Sequence, residues 1–334
     1  MKKFKLIAGT LLFSAVFLVM CLTASAREIK IALDCPPDST KCGSYLWSLT
    51  FGNYLESQGL KVKLYQKDTL GDEAERLDQV SQGLLEISNS DVAKAGSLDP
   101  TVFGFRLPFL VDDMDHLYRI VEHTDIMDKI NAGTTPKHVR VMAITPLGSF
   151  HGFVTTKKII KTPADFANVR MRALDRAQVK WLELWGANAV IIPWAEIYTS
   201  LQTGVCDGYM NSANVPILFK HTDVIKYYSV ANLAPALRAV IASEDWYQGL
   251  SKKDRAIVDA GVVKANNEVH EWANQSNQEA LDQLRAAGAE VYINTPEDRE
   301  AFAKLIRPNY ENIVEPEVAK FFIKLAAEQK GAKN

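Results

Sequence analysis

A helical pattern of unusual length near the C-terminus limits how this chain can fold. Residues 251–287 contain no proline, Ser251 and Asp254 form a Ser-x-x-Asp start signal, and Gly288 is a natural helix stop. At 1.5 Å per residue such a helix spans on the order of 50 Å, which is longer than one small domain is wide. The pattern therefore predicts a helix that braces two lobes. Gly261 leaves open the alternative of two shorter helices broken near that residue.

Apolar runs and amphipathic stretches alternate through the first part of the chain. The predicted elements are a strand at 28–33, a helix at 43–58, a strand at 60–65, a helix at 72–82 and a strand at 85–88. This βαβαβ order is typical of a mainly parallel sheet that is covered by helices. In such sheets ligands bind beyond the carboxyl ends of the strands, so we expect a site at that edge.

The second half of the chain repeats this alternation. Two start signals, at 162–165 and 295–298, each combine a threonine cap, a first-turn proline and a third-position aspartate. Between them the sequence predicts strands at 169–173 and 189–192 and helices at 176–185 and 194–203. The chain is also longer than one hydrophobic core comfortably organises. We therefore expect two α/β lobes.

The N-terminus has the pattern of a secretory signal. Three lysines are followed by an apolar run at 6–22 and by Ala24-Ser25-Ala26, so we expect a signal peptide over 1–26 that is cleaved after Ala26. The alternative is an uncleaved anchor, because the run is almost long enough to span a membrane. Cleavage would change the formal charge from −2 to −5, since the segment holds three lysines and no acid. A mildly acidic chain argues against nucleic-acid binding.

Export would give the cysteines a role. Cys35 and Cys42 flank a turn-rich loop at 36–41, and an oxidising compartment permits a disulfide between them. Cys206 is left over as a small buried hydrophobe. No ligand set with zinc spacing occurs, so we expect no metal. Catalytic and cofactor motifs, including the Gly-x-Ser-x-Gly elbow, the His-Glu-x-x-His pair and the dinucleotide glycine fingerprint, are also absent, which indicates binding rather than catalysis and no cofactor.

Arg172 is the strongest candidate for a functional side chain. It lies in the predicted strand at 169–173, and the planar guanidinium of arginine offers paired donors to a carboxylate without losing its charge. The alternative is an ordinary surface arginine. Asn89 and Asp91 follow the third predicted strand at its carboxyl end. Asp91 could meet an amino or hydroxyl group of a ligand, or it could cap a helix.

The chain resembles the extracytoplasmic solute-binding proteins of TRAP transporters, the DctP-like family, over nearly all of the sequence after residue 26. The most specific stretch is Lys161-Thr162-Pro163-Ala164-Asp165-Phe166 with Val169-Arg170-Met171-Arg172. The other matching stretches are Leu70-Gly71-Asp72-Glu73, Gln79-Val80 with Gly83, Leu107-Pro108-Phe109-Leu110, Leu184-Trp185-Gly186-Ala187-Asn188, Pro193, Glu196 to Val205, Asp207-Gly208, and Trp246 with Leu250-Ser251.

The resemblance implies a two-lobed α/β periplasmic binding protein with a sheet in each lobe, a hinge and a long bracing helix. Lobe I would comprise 27–147 and about 234–270, lobe II would comprise 148–233 and about 271–334, and the helix at about 251–287 would span both. Such proteins close around an organic acid and deliver it to TRAP membrane subunits. The selectivity arginine of the family falls on Arg172, and an asparagine that faces the ligand falls on Asn211.

Four further residues are candidates for the ligand site: Phe150, His151, Trp181 and Tyr209. Sialic-acid-type members have an arginine where this chain has His151, which argues against a sugar acid. If Phe150 and Tyr209 face the cleft, the carboxylate is aromatic or branched. For Trp181 core packing is the alternative. Two other functions stay open: a secreted enzyme that uses His151, Asp91 and Arg172 on a carboxylate substrate, and a ligand sensor for a membrane receptor.

Overall fold

The protein is described by a computed structural model that covers residues 28–331. The expected signal peptide over 1–26 and its cleavage therefore lie outside the described residues. Eleven strands occur in this range, and they are β1 (Ile29–Ala32), β2 (Val62–Tyr65), β3 (Ile87–Asp91), β4 (Val139–Phe150), β5 (Gly152–Thr155), β6 (Arg170–Ala173), β7 (Asn188–Ile191), β8 (Gly208–Asn211), β9 (Tyr227–Val230), β10 (Pro235–Ser243) and β11 (Glu290–Ile293).

Helices occur between the strands in both halves of the chain. Across residues 28–331 the α-helices are α1 (Gly43–Ser57), α2 (Glu73–Ser81), α3 (Val92–Gly96), α4 (Met114–Glu122), α5 (Ile126–Thr134), α6 (Arg176–Leu184), α7 (Ile197–Gln202), α8 (Asn214–Leu218), α9 (Glu244–Gly249), α10 (Lys252–Ala286), α11 (Pro296–Ile306), α12 (Tyr310–Ile313) and α13 (Pro316–Gln329). Short 3₁₀ helices occur at Pro100–Arg106, Thr135–Lys137, Pro163–Phe166, Trp194–Glu196 and Arg307–Asn309.

The strands form two sheets, one in each lobe. The first has the order β2-β1-β3-β10-β4, and the second has the order β11-β9-β5-β8-β6-β7. In the first sheet β1 pairs in parallel with β2 and β3, as the βαβαβ pattern predicts, whereas β10 is antiparallel to β3 and β4. In the second sheet β6 lies between β7 and β8 and is parallel to both. The predicted mixed α/β fold with a sheet in each lobe is confirmed.

The chain crosses between the lobes at two paired segments. Only His151 separates β4 of the first sheet from β5 of the second, and residues 231–234 connect β9 to β10. The backbone N–H of His151 donates to the carbonyl of Ala234 at 2.8 Å, and the N–H of Leu233 donates to the carbonyl of His151 at 2.9 Å. We call these two stretches the crossing segments. They place His151 at the junction of the lobes.

Helix α10 is continuous over 35 residues, so the alternative of a break near Gly261 is wrong. Val258, Ala265 and Val269 are buried in a cluster with residues of β1 and α1. Leu281 and Leu284 are buried in another cluster with residues of β5 and β8. Because one continuous element contributes to the core of both lobes, the predicted brace is confirmed.

Two further features complete the framework. Cys35 and Cys42 form the predicted disulfide, and Cys206 is buried with a free thiol. Helix α13 contacts α4, where Arg119 Nε donates to the carbonyl of Gln329 at 3.0 Å. The C-terminal helix thus contacts the region that the sequence assigns to the first lobe, and the exact lobe limits stay a prediction. Within residues 28–331 no helix has the length and hydropathy needed to cross a membrane.

Candidate functional site

A cavity of about 480 Å³ lies between the lobes. Its walls come from the carboxyl ends of β3, β6 and β8, from α2 and from the crossing segments. This is the edge at which open α/β sheets bind ligands. The volume suits a small organic molecule. Among residues 28–331 no group of three or more His, Cys, Asp or Glu side chains could hold a metal ion.

Arg172 of β6 is a buried part of the cavity wall. Arg172 is only 2% exposed, and its Nε donates to the carbonyl of Ile192 at 2.9 Å. Among the described residues its Nη2 has no hydrogen-bond partner. Its guanidinium carbon lies 5.7 Å from the ring centroid of Trp194, within cation–π range. Burial lowers the pKa of Arg172 to about 10, so the group stays charged at neutral pH.

Asp91 ends β3 and caps α3, which is the second of the two roles that the sequence left open for it. Its Oδ1 accepts from the N–H of Ala93 at 2.8 Å, and the same oxygen accepts from Arg106 Nη2. Its Oδ2 accepts from Arg238 Nη1 at 3.0 Å. Burial would raise the pKa of Asp91, but Arg106 and Arg238 beside it hold that pKa below its ordinary value. Asp91 is therefore an ionised carboxylate that two arginines already occupy.

Arg106 links the lobes through a second ion pair. Its Nη1 lies 3.0 Å from Oδ2 of Asp175, the residue that caps α6 in the second lobe. Arg238 of β10 makes the corresponding pair on the other side, where its Nε donates to Asp34 Oδ2 at 2.6 Å. Each of these guanidiniums thus has two carboxylate partners. Arg172 differs from both, because among the described residues no carboxylate forms a salt bridge with it, and its buried Nη2 has no hydrogen-bond partner there.

His151 faces the cavity from the first crossing segment. Burial, together with the nearby Arg106 and Arg238, lowers its pKa to about 3. The imidazole is therefore neutral over the physiological range. Its Nδ1 has no hydrogen-bond partner among the described residues.

Asn211 and Trp181 also line the cavity. Asn211 ends β8, and its Oδ1 accepts from the N–H of Ser212 at 3.0 Å. Trp181 is fully buried on α6, and within residues 28–331 its Nε1 has no partner. The structure therefore brings five of the expected residues to one cavity: Asp91, His151, Arg172, Trp181 and Asn211.

Three expected residues, Asn89, Phe150 and Tyr209, do not line the cavity. The amide of Asn89 is used inside the first lobe, where it donates to Ser48 Oγ at 2.7 Å. Phe150 packs in an apolar core cluster. The hydroxyl of Tyr209 lies 2.9 Å from His221 Nδ1, and its ring packs edge-on against Trp194 at 5.7 Å between centroids. Tyr209 thus contacts Trp194, which lines the cavity, without lining the cavity itself.

Sequence reasoning did not identify Arg106, Arg238 or Trp194. Arg238 is the lone charge in the apolar strand β10, and a single charge in such a run is a usable signal for a buried ion pair. Trp194 follows the proline that ends the β7 segment, at the carboxyl edge where ligands bind. Arg106 has no local signal, since its partners Asp91 and Asp175 are set by tertiary structure.

Two α/β lobes, two crossing segments and a cavity between them define a binding protein that holds a small solute between its lobes. The chain belongs to the DctP family, the bacterial extracellular solute-binding proteins of family 7, whose sequence profile matches residues 55–317. The resemblance predicted from the sequence is thereby confirmed.

Several characterised proteins are similar to this chain. The ectoine-binding periplasmic protein TeaA of Halomonas elongata is 26% identical over 297 residues, which are 85% of this chain and 82% of TeaA. The C4-dicarboxylate-binding periplasmic protein DctP of Rhodobacter capsulatus is 25% identical over 264 residues, which are 76% of each chain. Both are named as periplasmic binding proteins.

Solved structures share the fold. The structure of the ectoine-binding protein of the TeaABC TRAP transporter from Halomonas elongata superimposes with a TM-score of 0.83 at 22% identity, covering 91% of this chain and 100% of that one. A TRAP periplasmic solute-binding protein from Chromohalobacter salexigens with bound D-glucuronate gives a TM-score of 0.81 at 21% identity, covering 90% and 100% of the two chains. Identities this low establish the common architecture alone.

Proposed function

We propose that the protein is the periplasmic solute-binding subunit of a TRAP transporter. It captures a small organic carboxylate between its lobes, closes around it and delivers it to the membrane subunits. Membership of the DctP family supports this function. So do the similar structures, whose descriptions name TRAP solute-binding proteins with bound acids such as D-glucuronate and D-erythronate.

The observation that carries the proposal is the unequal pairing of the three arginines. Arg106 and Arg238 each pair with two aspartates, whereas no salt bridge among the described residues includes the buried Arg172, whose Nη2 also lacks an acceptor. Asp91 and Asp175 are close enough to favour the charge of Arg172 but do not pair with it directly. A ligand carboxylate would supply a direct ion pair and the missing acceptor.

Arg76, a fourth arginine of the cavity wall, uses its three nitrogens on Ser88 Oγ and on the carbonyls of Gly71 and Asn89. Arg172 is therefore the guanidinium that remains available, which favours a ligand with a single carboxylate.

One part of the remaining wall suits an apolar ligand body, beside charged residues such as Glu73 and Lys94. Phe105, Trp181, Trp194, Met210 and Leu237 surround the cavity and offer aromatic and aliphatic surface. An aromatic or branched carboxylate would bury its apolar part against them, and each buried CH₂ contributes about 0.8 kcal/mol. Asn211 and the neutral His151 would contact the polar atoms beside the carboxylate.

Binding without turnover fits the site better than the enzyme alternative. A general base needs a free acceptor with a suitable pKa. Both oxygens of Asp91 are occupied by arginines, and the pKa of His151, about 3, makes its imidazole a weak base. The trio of His151, Asp91 and Arg172 thus lines one cavity but lacks a poised base. We therefore propose that the solute is kept unchanged.

The first test is a calorimetric screen of organic monocarboxylates, repeated on Arg172→Ala. We expect a ligand with micromolar affinity, about −8 kcal/mol. We expect the substitution to remove about 2–5 kcal/mol of that binding free energy, because it deletes a desolvated ion pair.

Arg170→Ala is the matched control, because Arg170 begins the same strand but its side chain is 53% exposed and faces Asp207 at 3.9 Å. Its effect on binding should stay within about 0.5 kcal/mol. Equal affinities of Arg172→Ala and the wild type would remove Arg172 as the carboxylate anchor.

A second test separates transport from catalysis and sensing. The protein is incubated with the solute and the solute is recovered by denaturation. Recovery of the intact acid supports a binder, whereas a new product supports the enzyme alternative. Solute-dependent uptake through reconstituted TRAP membrane subunits would then distinguish transport from a sensor function.

A further inference from the structure

The segment closed by the disulfide, residues 35–42, forms a compact ring that we call the disulfide loop. Asp38 organises its interior: the N–H of Cys42 donates to the Asp38 carbonyl at 2.9 Å, and Thr40 Oγ1 donates to Asp38 Oδ1 at 2.7 Å. Lys41 Nζ donates to Asp38 Oδ2 at 2.7 Å. With the covalent link between Cys35 and Cys42, these bonds make the loop move as one body.

One side of the loop is connected to the cavity. Asp34 precedes the loop and Ser44 follows it, and Ser44 Oγ donates to Asp34 Oδ1 at 2.7 Å. The same Oγ lies 3.2 Å from Cys42 Sγ. The other oxygen of Asp34 accepts from Arg238 Nε at 2.6 Å, and both Asp34 and Arg238 line the cavity. The disulfide therefore fixes the segment that holds a cavity carboxylate in place.

The opposite side of the loop is connected to the second lobe. Asn214, the first residue of α8, donates from Nδ2 to the carbonyl of Lys41 at 2.6 Å and to the carbonyl of Leu147 at 3.1 Å. Asn214 is 4% exposed, so these bonds are shielded from water. Both cysteines pack in the same apolar cluster as residues of β5, β8 and α8. The loop thus touches the second lobe by both polar and apolar contacts.

The brace contacts the loop as well. Trp272 of α10 donates from Nε1 to the carbonyl of Thr40 at 3.3 Å. Gly148 of β4 shows how closely the parts fit, because a Cβ at this position would lie 2.0 Å from Asn214 Oδ1. The loop, β4, α8 and α10 therefore meet at one joint.

We propose that the disulfide loop is a positioning element for solute binding. The loop contacts the cavity through Asp34 and Arg238, and it contacts the second lobe through the Asn214–Lys41 hydrogen bond. It thereby couples solute binding to closure of the lobes. This inference rests on the proposed function. A rigid loop transmits the placement of Asp34 to the lobe contact, so an intact disulfide raises affinity for the solute. Opening the ring lets Asp34 and Lys41 move independently and weakens the closed form.

The test compares Cys35→Ser/Cys42→Ser, Asn214→Ala and their combination in calorimetric titrations with the carboxylate found in the screen. We expect each variant to raise Kd about three- to tenfold, which is the effect of losing one or two net hydrogen bonds. The combination should raise Kd by less than the product of the two separate factors, because both changes act on one coupling. Asn312→Ala, which alters an exposed amide on α12, should leave Kd unchanged.

A merely structural disulfide gives a different result. It would lower the melting temperature of the free protein but leave Kd and the dissociation rate unchanged at temperatures well below melting. Kd values within about twofold of the wild type for both Cys35→Ser/Cys42→Ser and Asn214→Ala would overturn the proposal. If the double serine variant does not fold, Asn214→Ala still decides, because its disulfide is intact. A wild type that binds no carboxylate would instead refute the proposed function.

Discussion

Asp91 is the residue on which the charge balance of the cavity depends. It receives Arg106 and Arg238 on its two oxygens, and each arginine has one further aspartate, Asp175 or Asp34. The resulting chain of alternating charges runs from one lobe to the other. This chain neutralises the charges of Arg106 and Arg238, whereas Arg172 remains available to a ligand carboxylate.

Removing the central carboxylate should therefore be costly. We expect Asp91→Asn to lower the free energy of unfolding by about 3 kcal/mol, at the low end for a broken buried ion pair because each arginine keeps one aspartate. Urea titration followed by circular dichroism measures this change. Asp68→Asn is the control, since Asp68 is 65% exposed and its ion pair is with the neighbouring Lys67. A loss no larger than that of Asp68→Asn would show that the network contributes little.

His151 should make stability depend on pH. Its pKa falls from an ordinary 6.5 to about 3 in the folded protein, so between these values the unfolded chain binds a proton that the folded chain does not. The free energy of unfolding should therefore decrease as the pH is lowered from about 6.5 toward 3. His151→Gln should reduce this slope, whereas His138→Gln, at a side chain that is 61% exposed, should not. Urea titrations of the wild type and of both variants between pH 7 and 4 measure how the free energy of unfolding changes with pH. Equal slopes for His151→Gln and the wild type would contradict the assignment of this pH dependence to His151.

Residues differ in how far the sequence reveals them. Arg172 could be identified because the strand that carries it has a clear local pattern, whereas Asn211 was found through the family resemblance. Arg106 could not, since its importance comes from Asp175, 69 positions later in the chain. Tyr209 and Phe150 were expected to line the cleft, but strand position alone does not say whether an aromatic ring faces a cavity or supports the wall behind it.

At the scale of elements, α10 shows how local signals and packing agree. Its start at Ser251, its stop at Gly288 and its lack of proline all predict the observed helix. Gly261 is the one weak position, and its explanation is tertiary: a Cβ there would lie 2.7 Å from Leu55 Cδ1 and 3.1 Å from Phe51 Cδ2. The glycine lets α1 pack closely against the brace. By contrast, β4 and β10 were not predicted, because their pairing joins distant parts of the chain.

A larger side chain at this contact should destabilise the protein. We expect Gly261→Val to lower the free energy of unfolding by about 1–3 kcal/mol through overpacking, even though valine favours a helix more than glycine does. Gly249→Val is the matched control, because a Cβ at Gly249 meets no atom within 4 Å. Chemical denaturation of both variants tests this. A Gly261→Val protein as stable as the control would mean that α1 and α10 can separate without loss.

For the whole molecule, the core crosses the division between the lobes. One apolar cluster contains residues of β4 and β10 in the first sheet and residues of β5, β6 and α6 in the second lobe. Helix α10 joins the other two clusters. We therefore expect both lobes to unfold in a single cooperative transition.

Solute should shift that single transition. At about 100 times Kd, a ligand that binds only the folded state adds about 2.7 kcal/mol to the free energy of unfolding. Denaturation monitored both by tryptophan fluorescence and by circular dichroism should give coincident curves that move together. Two separate transitions, of which only one responds to the solute, would show that the lobes are independent.

The position of β10 has a consequence for the order in which the protein can form. This strand lies between β3 and β4 in the first sheet, yet it follows β5 to β9 in the chain. During synthesis the inner strands of the second sheet are therefore made before β10, the strand that completes the first sheet. Because loop closure over such separations is slow, the N-terminal half must wait for the middle of the molecule. The first lobe, although it is synthesised first, can thus complete its sheet only after the strands β5 to β9 of the second lobe have been made.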